Sequence, residues 1–230
     1  MTHPLDHPQW AALTSEHAGF ARRHGRAATY PADVVSMSGL QNGDDPDAWR
    51  DLGDLLGVGG WSILIMADAP RLPVFARPLV RRGLLQMQGP LLASVVPEEP
   101  EGLVKLGLAD GPEMVALAAR TEPGPMLPRT VLMGDYWGIR REGRLVAMAG
   151  ERLHLTGWTE VSGVCTDPDF RGQGLARYLV ATVTRDILAR NERAFLHCEL
   201  GNASAIALYE TLGFTKRAEM RLNVVRMEQP

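Results

Sequence analysis

The stretch Asp169-Phe170-Arg171-Gly172-Gln173-Gly174-Leu175-Ala176, "DFRGQGLA", decides how the rest of the chain is read. It lies between an apolar run that stops at Asp167-Pro168 and a long segment of helical periodicity that continues through Arg190. A strand that ends there and a helix that begins at once leave several backbone N–H groups unpaired at the helix N-terminus, where the dipole adds partial positive charge. Such an end holds an anion. Gly172 and Gly174 let the backbone come close to it, and Arg171 can add a charge-assisted bond to phosphate. An isolated Gly-x-Gly is equally well a tight strand-to-helix turn. The spacing matches neither a Walker loop, which needs Gly-Lys-Ser/Thr, nor a dinucleotide fingerprint, which needs a third small residue and an acidic residue ~20 positions later.

Working outward toward the C-terminus, "RAFLHCEL" reads as a strand, "ASAIALYETLG" as a helix closed by Gly213, and "FTKRAEMRLNVVRM" as a final strand pair. Before the loop, "LVKLGLAD" reads as a strand and "GPEMVALAARTE" as a helix that Asp110 can cap. "TEPGPMLPRT" is a proline-stiffened loop, "YWGIRREGRLVAMAGERLHL" a hairpin broken at Glu142-Gly143, and "TEVSGVCT" a strand. The order is β-α-loop-β-β-β-α-β-α-β. "PEEPEG" looks like a linker, and a boundary near Pro100 divides the chain into residues 1–100 and 101–230. In the first part, a helix ends near Gly25, "ATYPADVVSMSGLQ" reads as one strand, and "DPDAWRDLGDLLG" as a helix capped by Asp45 with Pro46 in its first turn. "WSILIMAD" is a buried strand, Arg71 to Arg82 a short helix, and "LLQMQGPLLASVV" a strand.

The chain has 230 residues, 45% of them apolar, and a formal charge of -3, which describes a globular protein without the basic stripe that nucleic acid requires. "MTHPLDHPQW" lacks the basic start and apolar run of a signal peptide, and the densest apolar run, Trp61 to Ala67, is too short to span a bilayer. The expectation is a cytoplasmic protein with no membrane partner. Cys165 and Cys198 lie in strand-like runs as reduced thiols and form no metal pattern.

The loop resembles the acetyl-CoA signature of the GNAT superfamily of N-acetyltransferases, Arg/Gln-x-x-Gly-x-Gly/Ala, through Arg171, Gly174 and Ala176. "NASAIALYETLGF", Asn202 to Phe214, resembles the later motif of the same superfamily. The likeness covers Leu103 to Met227, and "TEVSGVCTDPDFRGQGLARYLV" looks closest to the glycine N-acyltransferase-like C-terminal domains. It implies an α/β fold, a mixed twisted sheet whose central strands splay apart, and transfer of an acetyl group from acetyl-CoA to a primary amine by direct attack in a ternary complex. The acceptor would be a small-molecule amine or a peptide N-terminus, and a homodimer is compatible with the family. Residues 1–100 resemble a degenerate half of the same fold, with "QNGDDP" in place of the phosphate loop.

The resemblance also implies roles. Arg171, Gly172, Gln173, Gly174, Leu175 and Ala176 would hold the pyrophosphate. Backbone groups of Val164, Cys165 and Thr166, freed where their strand diverges from Leu196–Leu200, would bind the pantetheine arm as a substitute strand, with Gly163 at a bulge. Asn202 would contact the cofactor or simply cap its helix. Tyr209 would protonate the departing thiolate or pack in the core, and Glu160 would serve as the base or lie at a strand end, with Glu151, Glu199 and His154 as competitors. Cys165 is not a nucleophile, and His197 and Cys198 read as core or strand-surface residues. The acceptor pocket would be framed by "TEPGPMLPRT", Tyr136, Trp137 and Trp158. The alternative to an enzyme is a regulatory or scaffold module that binds acetyl-CoA, and acyl transfer to oxygen or of longer chains stays open.

Overall fold

The computed structural model describes residues 3–92, 98–121 and 124–229. Its chain order is α1 (Pro8–Leu13), β1 (Arg22–His24), β2 (Ala27–Thr29), β3 (Ser38–Leu40), α2 (Pro46–Leu56), β4 (Trp61–Met66) and β5 (Ala76–Gln88). The second half adds β6 (Leu103–Leu106), α3 (Gly111–Thr121), β7 (Tyr136–Arg141), β8 (Arg144–Leu155), β9 (Trp158–Thr166), α4 (Leu175–Ala189), β10 (Arg193–Glu199), α5 (Ala203–Thr211) and β11 (Thr215–Met227). Strands β4 to β11 form one eight-stranded mixed sheet in the order β4-β11-β5-β10-β9-β8-β7-β6, and β1, β2 and β3 form a small separate sheet.

The second half follows the order read from the sequence, with two changes. The expected final strand pair is the single strand β11, whose partner is β5: Ala76 to Gln88 pair antiparallel with Met227 to Thr215. Asp110 does not reach the start of α3; its carboxylate accepts from the Gly107 N–H and pairs with Arg140.

The first half departs further from the order read in the sequence. The segment expected as a helix from Arg71 to Arg82 forms much of β5, because the gap between β10 and β11 takes a strand. "ATYPADVVSMSGLQ" is interrupted by a turn at residues 31–34 and makes two strands. The first helix stops at Leu13 and gives way to turns. By contrast α2 is as expected, with Asp45 accepting from the Asp47 N–H and Pro46 at its start. The C-terminal part of the run "LLQMQGPLLASVV" falls on residues 93–96, outside the described residues. The boundary placed near Pro100 separates β5 from β6, and strands on both sides of it belong to the same sheet.

Two layers cover the sheet. Leu175, Leu179 and Ile187 of α4 and Tyr209 of α5 pack with Val146, Val161, Leu196 and Phe214 on one face. Opposite, Met114 and Leu117 of α3 pack with Tyr136, Met148 and Cys165, and Leu5, Leu13 and Tyr30 of the N-terminal segment cover Leu84, Leu153 and Phe195. Among the described residues no helix is long and apolar enough to cross a membrane, and no three metal-binding side chains cluster.

Candidate functional site

The decisive loop forms where β9 ends. Asp167 accepts from the Asp169 N–H at 3.2 Å and pairs with Arg120 at 3.1 Å, which fixes a short 3-10 turn from Pro168 to Phe170. Gly172 and Gly174 then adopt φ of +78° and +75°, the left-handed region that glycine enters freely. A Cβ at either would meet nothing within 4 Å, so the space beside the backbone is open. Arg171, Gly172, Gln173 and Gly174 are exposed, Leu175 is buried in the core and Ala176 is half-buried. No side chain caps α4. Its first N–H groups therefore point, with the dipole behind them, into unfilled space. The corresponding end of α2 differs, since the Asp45 carboxylate sits on it and pairs with Arg26 at 2.7 Å.

From this loop the path leads into a wedge. The parallel pairing of β9 with β10 runs only from Trp158↔Arg193 to Glu160↔Phe195. Beyond it β10 pairs on its other side with β5, through Leu196↔Met87 to Glu199↔Leu84, and β9 pairs on its other side with β8, through Met148↔Cys165 and Ala147↔Thr166. The facing edges of Val161–Thr166 and Leu196–Glu199 have no strand between them, which is the divergence expected. Gly163 has φ of +63° at a register break of β9. Thr166, next to the loop, keeps a buried hydroxyl without a partner. Unpaired strand edge, orphaned hydroxyl and uncapped helix end thus follow one another from the wedge to the loop.

Tyr209 of α5 lies in the core on the α4 side of the sheet. It is 7% exposed, packs 5.9 Å from the Phe214 ring, and lies close to Cys198 on β10. Burial, with a smaller contribution from Cys198, raises its phenol well above the ordinary value, so the proton is retained at neutral pH. Burial likewise raises the Cys165 thiol to about 11, and Cys165 points toward α3, away from any activating histidine. Asn202 uses its side-chain oxygen to cap α5, accepting from the Ala205 N–H at 3.1 Å, so the capping role is the one seen.

Glu160 corrects an expectation. It stands at the apex of the wedge but is fully buried. Arg152 donates to it twice, from Nε to Oε2 at 2.9 Å and from Nη2 to Oε1 at 2.8 Å, and His197 Nδ1 lies 2.7 Å from Oε1. Burial alone would raise its pKa, but the Arg152 guanidinium and the His197 bond override that and hold it down at about 2. A carboxylate so acidic, with both oxygens occupied, is not free to act as a general base near neutrality. Its competitors are engaged too: Glu151 with Arg190 and His154, and Glu199 with Arg82.

The network around Glu160 was missed in the sequence. The Gln86 amide donates to His197 Nε2 at 2.9 Å and to the Leu5 carbonyl at 3.0 Å, while Arg217 donates to Gln86 Oε1 at 2.7 Å. Part of it was readable, since Arg152 and Glu160 are equidistant from the β8–β9 turn around Thr156 and so must be near neighbours across the hairpin. Of the expected acceptor pocket, Tyr136 and Met126 lie beside Gly163 at the wedge, whereas Arg129 and Thr130 turn to Asp33 and Val34, and Glu122 and Pro123 are outside the described residues. Trp137 does not frame it: its indole faces α4 and donates to Asp186 at 3.0 Å. Trp158 stands at the closed end of β9, with Arg193 over its ring at 4.1 Å.

Residues 136–222, which hold the wedge, the loop and α5, match the family of FR47-like proteins. A solved GNAT-family structure from Novosphingobium aromaticivorans superposes with a TM-score of 0.88 at 37% identity, over 99% of this chain and 100% of that one. The chain belongs to the GNAT family. Among curated relatives, a mycothiol acetyltransferase of Thermomonospora curvata is 30% identical over 60% of this chain and 53% of its own length. The [ribosomal protein bS18]-alanine N-acetyltransferase of Escherichia coli K12 is 34% identical over 37% of this chain and 57% of its own. The chain thus spans little more than half the length of either relative. The GNAT fold expected from the loop, with its mixed sheet, is the fold observed.

Proposed function

We propose that this chain is an acetyl-CoA-dependent N-acetyltransferase that moves an acetyl group to a primary amine by direct attack in a ternary complex. The observation that carries the reading is the continuity of the uncapped, open N-terminus of α4 with the unpaired edge of β9. When bound, acetyl-CoA supplies a thioester carbon open to attack. The backbone from Arg171 to Ala176 would hold the pyrophosphate, and the free edge around Val164, Cys165 and Thr166 would hold the pantetheine amides. An N–H near Val164 would stabilise charge on the carbonyl oxygen. Tyr209, protonated by virtue of its burial, would give its proton to the departing thiolate and recover one released from the amine. Because Glu160 is engaged, the amine would lose its proton to water at the mouth of the wedge. Glu160 instead fixes the apex, where it ties β8 through Arg152 to β10 through His197.

The acceptor class comprises small amines and peptide N-termini; the relatives' names point to mycothiol and to a ribosomal-protein alanine, and the likeness to glycine N-acyltransferase-like domains adds glycine. Residues 101–230 would carry the site, and residues 1–100 would be an accessory part that completes the sheet without binding cofactor. The engaged state of Glu160 favours one second reading, a module that binds acetyl-CoA without turnover. Thiol release from acetyl-CoA, measured with glycine, aliphatic amines and a peptide with N-terminal alanine, decides between them. Release above the hydrolytic background supports the enzyme; tight acetyl-CoA binding with no release in any case supports the module.

A further inference from the structure

Tyr136, at the start of β7, reaches across the sheet toward the wedge. Its cross-strand partner on β8 is Gly150, and a Cβ there would stand 2.3 Å from the tyrosine ring, so only glycine lets the ring lie flat over β8. The ring then arrives at β9 beside Gly163, whose added Cβ would stand 3.1 Å from Tyr136 Cε1 and 3.6 Å from its hydroxyl. Two glycines on two successive strands thus clear a path that delivers a phenol to the strand bordering the wedge. The hydroxyl is buried and has no hydrogen-bond partner, although Tyr136 as a whole is only 1% exposed. Packing alone explains a phenylalanine here better than a tyrosine, because a buried hydroxyl without a partner is a loss.

The missing partner has one direction from which to come. On the other face α4, α5 and Tyr209 fill the space against β9 and β10, so an acceptor must approach from the side of Tyr136. There the methyl of Met126 covers Gly163, 3.4 Å from where a Cβ would be, and Met126 is half-buried in the "GPMLPRT" segment. Methionine is unbranched and yields readily. We infer that the Tyr136 hydroxyl is the hydrogen-bond acceptor for the amino group of the substrate, and that Met126 occupies the place of that amino group until the substrate displaces it. A primary amine retains an N–H to donate to the phenol while its lone pair points along the strand edge toward the thioester carbon. Met126, Met148 and Cys165 pack around the ring, and the Arg152–Glu160 ion pair and Glu151 lie near enough to act on the phenol.

This inference rests on the proposed acyl transfer, and its test separates the two. Protein labelled with 13C in the methionine methyls is titrated with L-alaninamide in the presence of CoA, the Met126 resonance being assigned with Met126→Leu. The Met126 signal should shift saturably in wild type and need at least tenfold more alaninamide in Tyr136→Phe, while calorimetric CoA affinity stays within twofold. Tyr136→Phe should melt no lower than wild type, since it removes an unpaired hydroxyl. A Met126 signal that ignores alaninamide overturns the inference, as does equal affinity in the two proteins or a lower melting temperature for Tyr136→Phe. Saturable binding without thiol release from acetyl-CoA would sink the proposed transfer and leave this amine site standing.

Discussion

Gly174 offers a direct measure of whether the N-terminus of α4 is an anion site, through a comparison of Gly174→Ala with Gly174→Glu. Both replacements force a side chain onto a backbone with φ of +75°, which costs about 1 kcal/mol in each, and neither Cβ meets a neighbour. The two variants should therefore melt within a degree or two of one another. They differ in charge. A carboxylate about 5 Å from a doubly charged pyrophosphate, at an effective dielectric of about 40, is repelled by about 3 kcal/mol, roughly two-hundredfold in affinity. Isothermal calorimetry with CoA should show Gly174→Ala binding within about tenfold of wild type and Gly174→Glu weaker than Gly174→Ala by about two orders of magnitude. The gap should narrow on raising salt to about 0.5 M, as screening requires. Equal CoA affinity in the two variants would refute the assignment of the phosphates to this loop.

Tyr209→Phe should slow acetyl transfer by roughly two to four powers of ten with CoA affinity unchanged, as for loss of a general acid; an earlier melt with a normal rate would make Tyr209 structural. Because its phenol is raised, wild-type activity should show no tyrosine ionisation as pH rises to about 10. Glu160→Gln leaves the buried Arg152 without a counter-charge and should cost about 3–5 kcal/mol by urea denaturation. The folded pKa of about 2 lies below the unfolded value of 4.5, so the contribution of Glu160 is full above about 4.5 and is lost as pH falls toward 2; the variant should show a flatter acid limb. A Glu160→Gln variant of unchanged stability, with its rate collapsed and an acid inflection removed from the rate profile, would restore Glu160 as the base. Native mass spectrometry at saturating CoA should find one CoA per chain, because Asp45 stands on the N-terminus of α2; two per chain would contradict the reading of residues 1–100.

The second half was legible because its signals are local. A strand stop, two glycines and a helical period are adjacent in sequence, and Asn202 and Gly213 bracket α5 in the same way. The segment Arg71 to Arg82 misled for a physical reason. Residues 77–82 of β5 run past the end of β10, stay exposed on both faces and carry a register break near Leu79, so they show no alternation. Pro73 and Pro78 were the local evidence against a helix. Glu160 was found but its state was not, since that state depends on His197 and, behind it, Gln86, which come together only in the folded sheet. Tyr136 was placed near the acceptor, whereas its unpaired hydroxyl follows from the close approach of Gly150 and Gly163 and has no signature in sequence.

The insertion of β5 between β10 and β11 also sets an order of events during synthesis. A ribosome delivers Leu84, Leu85 and Met87 more than a hundred residues before the chain that will flank them, since Leu84 awaits Glu199 and Ala76 awaits Met227. Until then the strand has neither neighbour, and closing loops of that length is slow and leaves apolar edge exposed to other chains. The wall of the wedge formed by β10 is complete only when its earliest-made support and the latest-made strand have met. The half of this GNAT protein that carries the wedge thus acquires its shape last, from an earlier-made segment whose contribution is to be already present when β10 emerges.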